Sequence, residues 1–76
     1  MTMSAILELL NDPNLRYVSF IMDERKAYIT IDCYDNTYTT APEGDYGYQG
    51  VKRPWEIPSP LVAKLQSLHN KFNNRG

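Results

Sequence analysis

Two runs of strict alternation do most to limit what this chain can fold into. In Arg16–Met22, Val18, Phe20 and Met22 fall on one side and Tyr17, Ser19 and Ile21 on the other. In Ala27–Tyr34, Ile29, Ile31 and Cys33 alternate with Tyr28, Thr30, Asp32 and Tyr34. A period of two marks half-buried strands. The charged tetrapeptide Asp23-Glu24-Arg25-Lys26 separates them, and a turn centred on Glu24 and Arg25 pairs Met22 with Ala27. Phe20 then faces Ile29, and Val18 faces Ile31. Turn and apolar pattern agree on this register, because a slip of one residue would carry the whole apolar set to the solvent side.

The sequence around the hairpin is less regular. Asp35-Asn36 suits a tight turn, since both residue types tolerate turn backbone. It would lead into a short third strand over Thr37–Ala41 that pairs Tyr34 with Thr37, Cys33 with Tyr38 and Asp32 with Thr39. Tyr38 would then lie on the core face, and Thr37 and Thr39 opposite it. Pro42–Pro58 shows no period; it holds three of the five prolines and every glycine except Gly76, and reads as one long loop. At the N-terminus, residues 3–11 space Met3, Ile6, Leu7 and Leu10 as one helical stripe, capped by Thr2 or Ser4 and stopped by Pro13, which disfavours helical backbone at Asp12. Ser59 as a cap and Pro60 in the first turn open a second helix, whose stripe is Leu61, Leu65, Leu68 and Phe72, widened by Val62.

Seventy-six residues make a single small domain, 1–76. A chain this short hides about 60% of its unfolded surface. The fold expected is α+β: a three-stranded antiparallel sheet and two helices, in the order α-β-β-β-α. In the simplest packing both helices cover the Val18/Phe20/Ile29/Ile31 face, giving two layers. The alternative places one helix on each face and buries Tyr17, Tyr28 and Tyr34.

Composition and chemistry point away from several function classes. Nine acidic and eight basic residues leave a formal charge of −1, without the excess of positive charge that duplex DNA binding calls for. One cysteine, Cys33, allows no internal disulfide, and the N-terminal segment has no basic leader and only a short apolar run. A reducing, cytoplasmic setting is expected. Cys33 alternates inward and reads as a small buried hydrophobe. His69, the only histidine, lies beside the apolar stripe of the second helix. No residue set suggests catalysis, a metal site or a cofactor. The glycines of "GDYGYQG" lack the strand, helix and Gly-Lys-Ser/Thr ending of a phosphate loop.

The element order is similar, in topology alone, to the double-stranded-RNA-binding domain. That family grips phosphates with a lysine-rich start to its last helix. The matching turn here, "SPLVAKL", offers Lys64 alone, so RNA binding is not carried over.

Two surfaces stand out. The first is the outer sheet face, with Tyr17, Tyr28 and Tyr34 among Thr30, Thr37 and Thr39. Such rings can anchor a protein or stack single-stranded bases, although strand propensity alone also favours Tyr and Thr. Asp32 in the middle of this face disfavours a phosphate backbone lying across it. The second is the long loop, with Tyr46, Tyr48, Lys52, Arg53 and Trp55. Trp55 and Ile57 are expected to tuck under the second helix, and Tyr46 and Tyr48 to be exposed. The function expected is a non-enzymatic interaction module, of the phage or mobile-element accessory type, that binds and modulates or inhibits a larger protein. Its contacts would be Tyr46, Tyr48, Lys52 and Arg53, with Tyr17, Tyr28 and Tyr34 second. The alternatives are single-stranded nucleic-acid binding on the Tyr/Thr face and a homodimeric structural role through an open strand edge.

Overall fold

A computed structural model describes residues 3–34 and 45–74, apart from the side chains of Asp45 and Tyr46. The elements are α1 (Met3–Leu10), β1 (Leu15–Met22), β2 (Ala27–Tyr34), β3 (Asp45–Lys52), a 3-10 turn (Pro54–Glu56) and α2 (Ser59–Asn73). The strands form one open antiparallel sheet, ordered β1-β2-β3. This is the α+β fold in the order α-β-β-β-α.

The β1–β2 register is the one derived from the alternation: Met22 opposite Ala27, Phe20 opposite Ile29, Val18 opposite Ile31. No described residue has positive φ, so the two-residue loop is not one of the mirror-image turns that usually close tight hairpins. Asp23 closes it instead. Its Oδ1 accepts the N–H groups of Arg25 and Lys26, each at 2.7 Å, and its own N–H donates to the Lys26 carbonyl at 2.9 Å.

Both helices lie on one face. Ile6, Leu9 and Leu10 of α1 and Leu61 and Leu65 of α2 share a single buried cluster with Val18, Phe20, Ala27, Ile29, Ile31 and Cys33. Every one of those strand residues belongs to the inner set of the alternation. Leu68, Phe72 and Val62 pack half-buried at its margin. The stripe of α1 differs from the expected one. Leu9 is buried and Leu7 is 43% exposed, because α1 sets positions 6, 9 and 10 over β2 and turns Leu7 toward the first turn of α2. Ser4 lies inside the helix, and Thr2 lies outside the described residues. α2 begins at Ser59, one residue before the expected first helical position, and Pro58 is its cap. The Pro58 carbonyl accepts the N–H groups of Leu61 and Val62, both at 3.0 Å.

The third strand is the main correction. Tyr34 pairs with Asp45, Cys33 with Tyr46 and Asp32 with Gly47, not with Thr37, Tyr38 and Thr39. Asp45–Lys52, just under half of the expected loop, is therefore strand. Residues 37–41 lie outside the described residues, as do the proposed Asp35-Asn36 turn and the placement of Tyr38. Residues 45–52 match all eight residues of β2, whereas 37–41 could match only five. Gly50 belongs in this strand because the Tyr48 ring lies over it, filling the space a side chain would take. Gly47 is needed because a Cβ there would run into the Ile31 carbonyl oxygen on the neighbouring strand.

Candidate functional site

With both helices on one side, the other side of the sheet is left to the outer residues. The two registers align them in rows across all three strands. Ile21, Tyr28 and Val51 form one row, and Ser19, Thr30 and Gln49 the next. Ile21 is 59% exposed, Tyr28 45% and Val51 53%. Single apolar residues scattered over a surface are normal; these three stand side by side. Tyr34, 53% exposed, stands at the far end of β2. The Arg16 guanidinium lies 4.4 Å from its ring centroid, so one face of that ring already carries a cation.

Tyr17 departs from expectation. The β1–β2 register shifts between Leu15 and Tyr17, and such a bulge re-aims the side chains around it. The Tyr17 hydroxyl donates to Asn73 Oδ1 at 3.0 Å, and its ring sits 6.4 Å from that of Phe72. Tyr17 is thus half-buried against the end of α2, not part of the open face. Tyr28 and Tyr34 are.

The loop residues also redistribute. Tyr48 is half-buried against the core, not exposed, because its even position in β3 turns it to the helix side. Tyr46 is at the strand position opposite Cys33, and its side chain lies outside the described residues. Lys52 is half-buried at the end of β3, and Arg53 is exposed. Trp55 does not close the core; it is 71% exposed, and the Arg53 guanidinium lies 5.9 Å from its ring. Ile57 does that work alone, at 6% exposure. The turn that presents Trp55 is clamped from both ends. The Arg53 N–H donates to Glu56 Oε1 at 3.1 Å, and the Glu56 N–H donates to the Arg53 carbonyl at 2.9 Å.

His69 and Asn73, neither of them among the candidate contacts, have structural partners. His69 Nδ1 accepts the Phe20 N–H at 3.0 Å. The Asn73 amide donates to the Val18 carbonyl at 2.9 Å. Phe20 and Val18 are alternate residues of the outermost strand, so α2 seals the β1 edge with side chains. The i, i+4 spacing of His69 and Asn73 was the visible signal. Cys33 is fully buried, with Sγ 3.7 Å from the Leu9 carbonyl. Burial pushes its thiol pKa up, and the negative charges of Asp12 and Asp32 add to the rise. A thiol so placed is a poor nucleophile. Among the described residues no group of His, Cys, Asp and Glu is arranged to hold a metal ion. None of the described helices is long and apolar enough to cross a membrane. Lys64, the lone cation in the last helix's first turns, donates to Asn11 Oδ1 at 2.8 Å.

No family model, curated protein or solved structure matches the chain.

Proposed function

We propose that the protein is a non-enzymatic interaction module that binds a larger protein through the helix-free face of its sheet. The observation that carries this reading is the row Ile21–Tyr28–Val51, one exposed apolar side chain from each strand, side by side. Binding would modulate the partner by covering its surface. The aliphatic neighbours of Tyr28 favour a protein over nucleic acid. A base-stacking platform places its rings among cations, whereas here Ile21 and Val51 flank the ring and Asp32 stands two rows away. The Arg53–Trp55 pair adds a second anchor of the kind that dominates binding hot spots.

The test is affinity capture with the wild-type chain and with the triple variant Ile21→Ser, Tyr28→Ser, Val51→Ser. One stoichiometric protein should be held by the wild type and by a Glu24→Ala control, and lost by the triple variant. Retention by the triple variant at full strength would remove the face from the account. Quenching of tyrosine fluorescence by a single-stranded oligonucleotide at low salt would move the reading to nucleic acid.

A further inference from the structure

On the helix side of the sheet, α1 lies over β2 and α2 over β1. A groove of about 320 Å³ opens between them, lined by Met3 and Leu7 of α1 and by Pro58, Pro60, Leu61 and Lys64 at the start of α2. Its surface is almost wholly apolar, and its volume falls at the small end of ligand sites. Ile6, Leu9 and Leu10 enter the core, but Leu7 stays 43% exposed beside this gap. Leu61 is buried and anchors the floor. The rings of Pro58 and Pro60 fix their own backbone angles, so that wall is formed before any ligand arrives. The one charged group in the lining is Lys64. Its ammonium donates to Asn11 Oδ1 at 2.8 Å. The Asn11 N–H bonds the Leu7 carbonyl at 3.1 Å, so Asn11 extends the line of Met3 and Leu7 by one more turn and sets the ammonium at one end of the groove. Asn11 is a neutral amide: it holds the ammonium in place without neutralising it. Among the described residues no carboxylate pairs with Lys64.

We propose that this groove binds a small amphiphilic carboxylate: one medium-length alkyl chain ending in a single acid group. The chain lies along Met3, Leu7, Pro58 and Leu61, and the carboxylate meets the Lys64 ammonium. An ammonium has three N–H donors, and the bond to Asn11 uses one of them. The Asn11 amide nitrogen beside it supplies further donors to the same carboxylate. A groove of apolar residues alone would take any apolar body. The cation at one end selects an anion and sets the direction in which the chain lies, and a cationic amphiphile would put like charge against Lys64. The flexible Met3 side chain adapts the groove to chains of slightly different shape. The site lies on the opposite side of the sheet from Ile21, Tyr28 and Val51, so it does not rest on the proposed protein-binding face.

Titration of the full chain with octanoate, followed by NMR of the side-chain methyls, tests this. Octanoate should shift the Met3, Leu7 and Leu61 methyls saturably, with dissociation at about a millimolar or tighter. Octanol, of the same length without the charge, should bind about fivefold more weakly, and octylammonium more weakly still. Lys64→Met keeps an unbranched apolar side chain at that position and removes the charge. It should weaken octanoate about fivefold, the upper range for an exposed ion pair, and leave octanol unchanged, which shows the groove intact. Leu7→Glu, at an exposed position, should keep the native circular dichroism and lose octanoate. Several results would overturn the proposal: no saturable shift, shifts at the Ile21 and Val51 methyls instead, octylammonium as tight as octanoate, or Lys64→Met binding octanoate at full strength. Shifts of the Leu7 methyls on concentrating the chain without ligand would give the groove to a second copy and overturn it too.

Discussion

His69 Nδ1 sits 3.0 Å from the backbone nitrogen of Phe20 and accepts its hydrogen bond. This contact joins the last helix to the first strand across 49 residues of chain. It ties α2 to the outer edge of β1, on the side where Leu61 and Leu65 enter the core.

Removing that acceptor leaves a half-buried N–H without a partner. His69→Ala should cost about 1–2 kcal/mol. Asn73→Ala should cost at least as much, since its amide serves the Val18 carbonyl and the Tyr17 hydroxyl together. The two side chains approach within 3.3 Å, so the double variant should fall short of the sum of the single ones. Urea denaturation gives all three values. Single variants within about 0.5 kcal/mol of wild type, the ordinary surface range, would show that α2 is held by its apolar stripe alone.

Gly47 and Gly50 separate two meanings of a strand glycine. A methyl at Gly47 meets the Ile31 carbonyl, which is backbone and cannot swing aside. A methyl at Gly50 meets the hydroxyl end of Tyr48, which can rotate. Gly47→Ala should therefore destabilise by about 1–3 kcal/mol, and Gly50→Ala by clearly less. Thermal unfolding ranks them; the reverse order would contradict the strand placement of residues 45–52.

The Asp23 carboxylate accepts two backbone N–H groups, and these hold its pKa below the usual carboxylate value. The unfolded chain therefore takes up a proton at this site at higher pH than the folded one. The stabilisation is complete above the unfolded-chain pKa and disappears as pH falls through the folded one. In unfolding titrations, wild type should exceed Asp23→Ala in stability at neutral pH, and the gap should close in acid. A gap independent of pH would rule out the carboxylate as the source.

Cys33 should resist thiol reagents at neutral pH until the protein unfolds, because it is fully buried and its pKa is raised. Its labelling rate should follow the denaturation curve. Fast labelling of the native chain would place the thiol at the surface.

The hairpin was legible in the sequence because two independent constraints, turn and alternation, selected one register for Val18, Phe20, Ile29 and Ile31. The third strand was not, because Gly47 and Gly50 erase the alternation that reveals strands. The needs that placed them, a close backbone approach and the overlying Tyr48 ring, exist only once the chains are side by side. Trp55 suggested a core residue by its size, but Ile57 two positions later fills the space under α2. Tyr17 was misplaced for another local reason: a bulge at Leu15/Tyr17 leaves no mark in an alternating pattern. Of the candidate contacts, Tyr28, Tyr34 and Arg53 are exposed, while Ile21 and Val51, which complete the row, give no signal in the sequence because single aliphatic residues on a strand carry none until their neighbours are known.

Hydroxyl-radical footprinting of the native chain measures directly whether one face of the sheet is open. Tyr28, Tyr34 and Trp55 should be oxidised quickly, and Phe20, Leu65 and Ile29 should be protected until unfolding. Protection of Tyr28 and Tyr34 equal to that of Phe20 in the free monomer would mean that a helix lies over the outer face, and the docking surface argued from it would not exist.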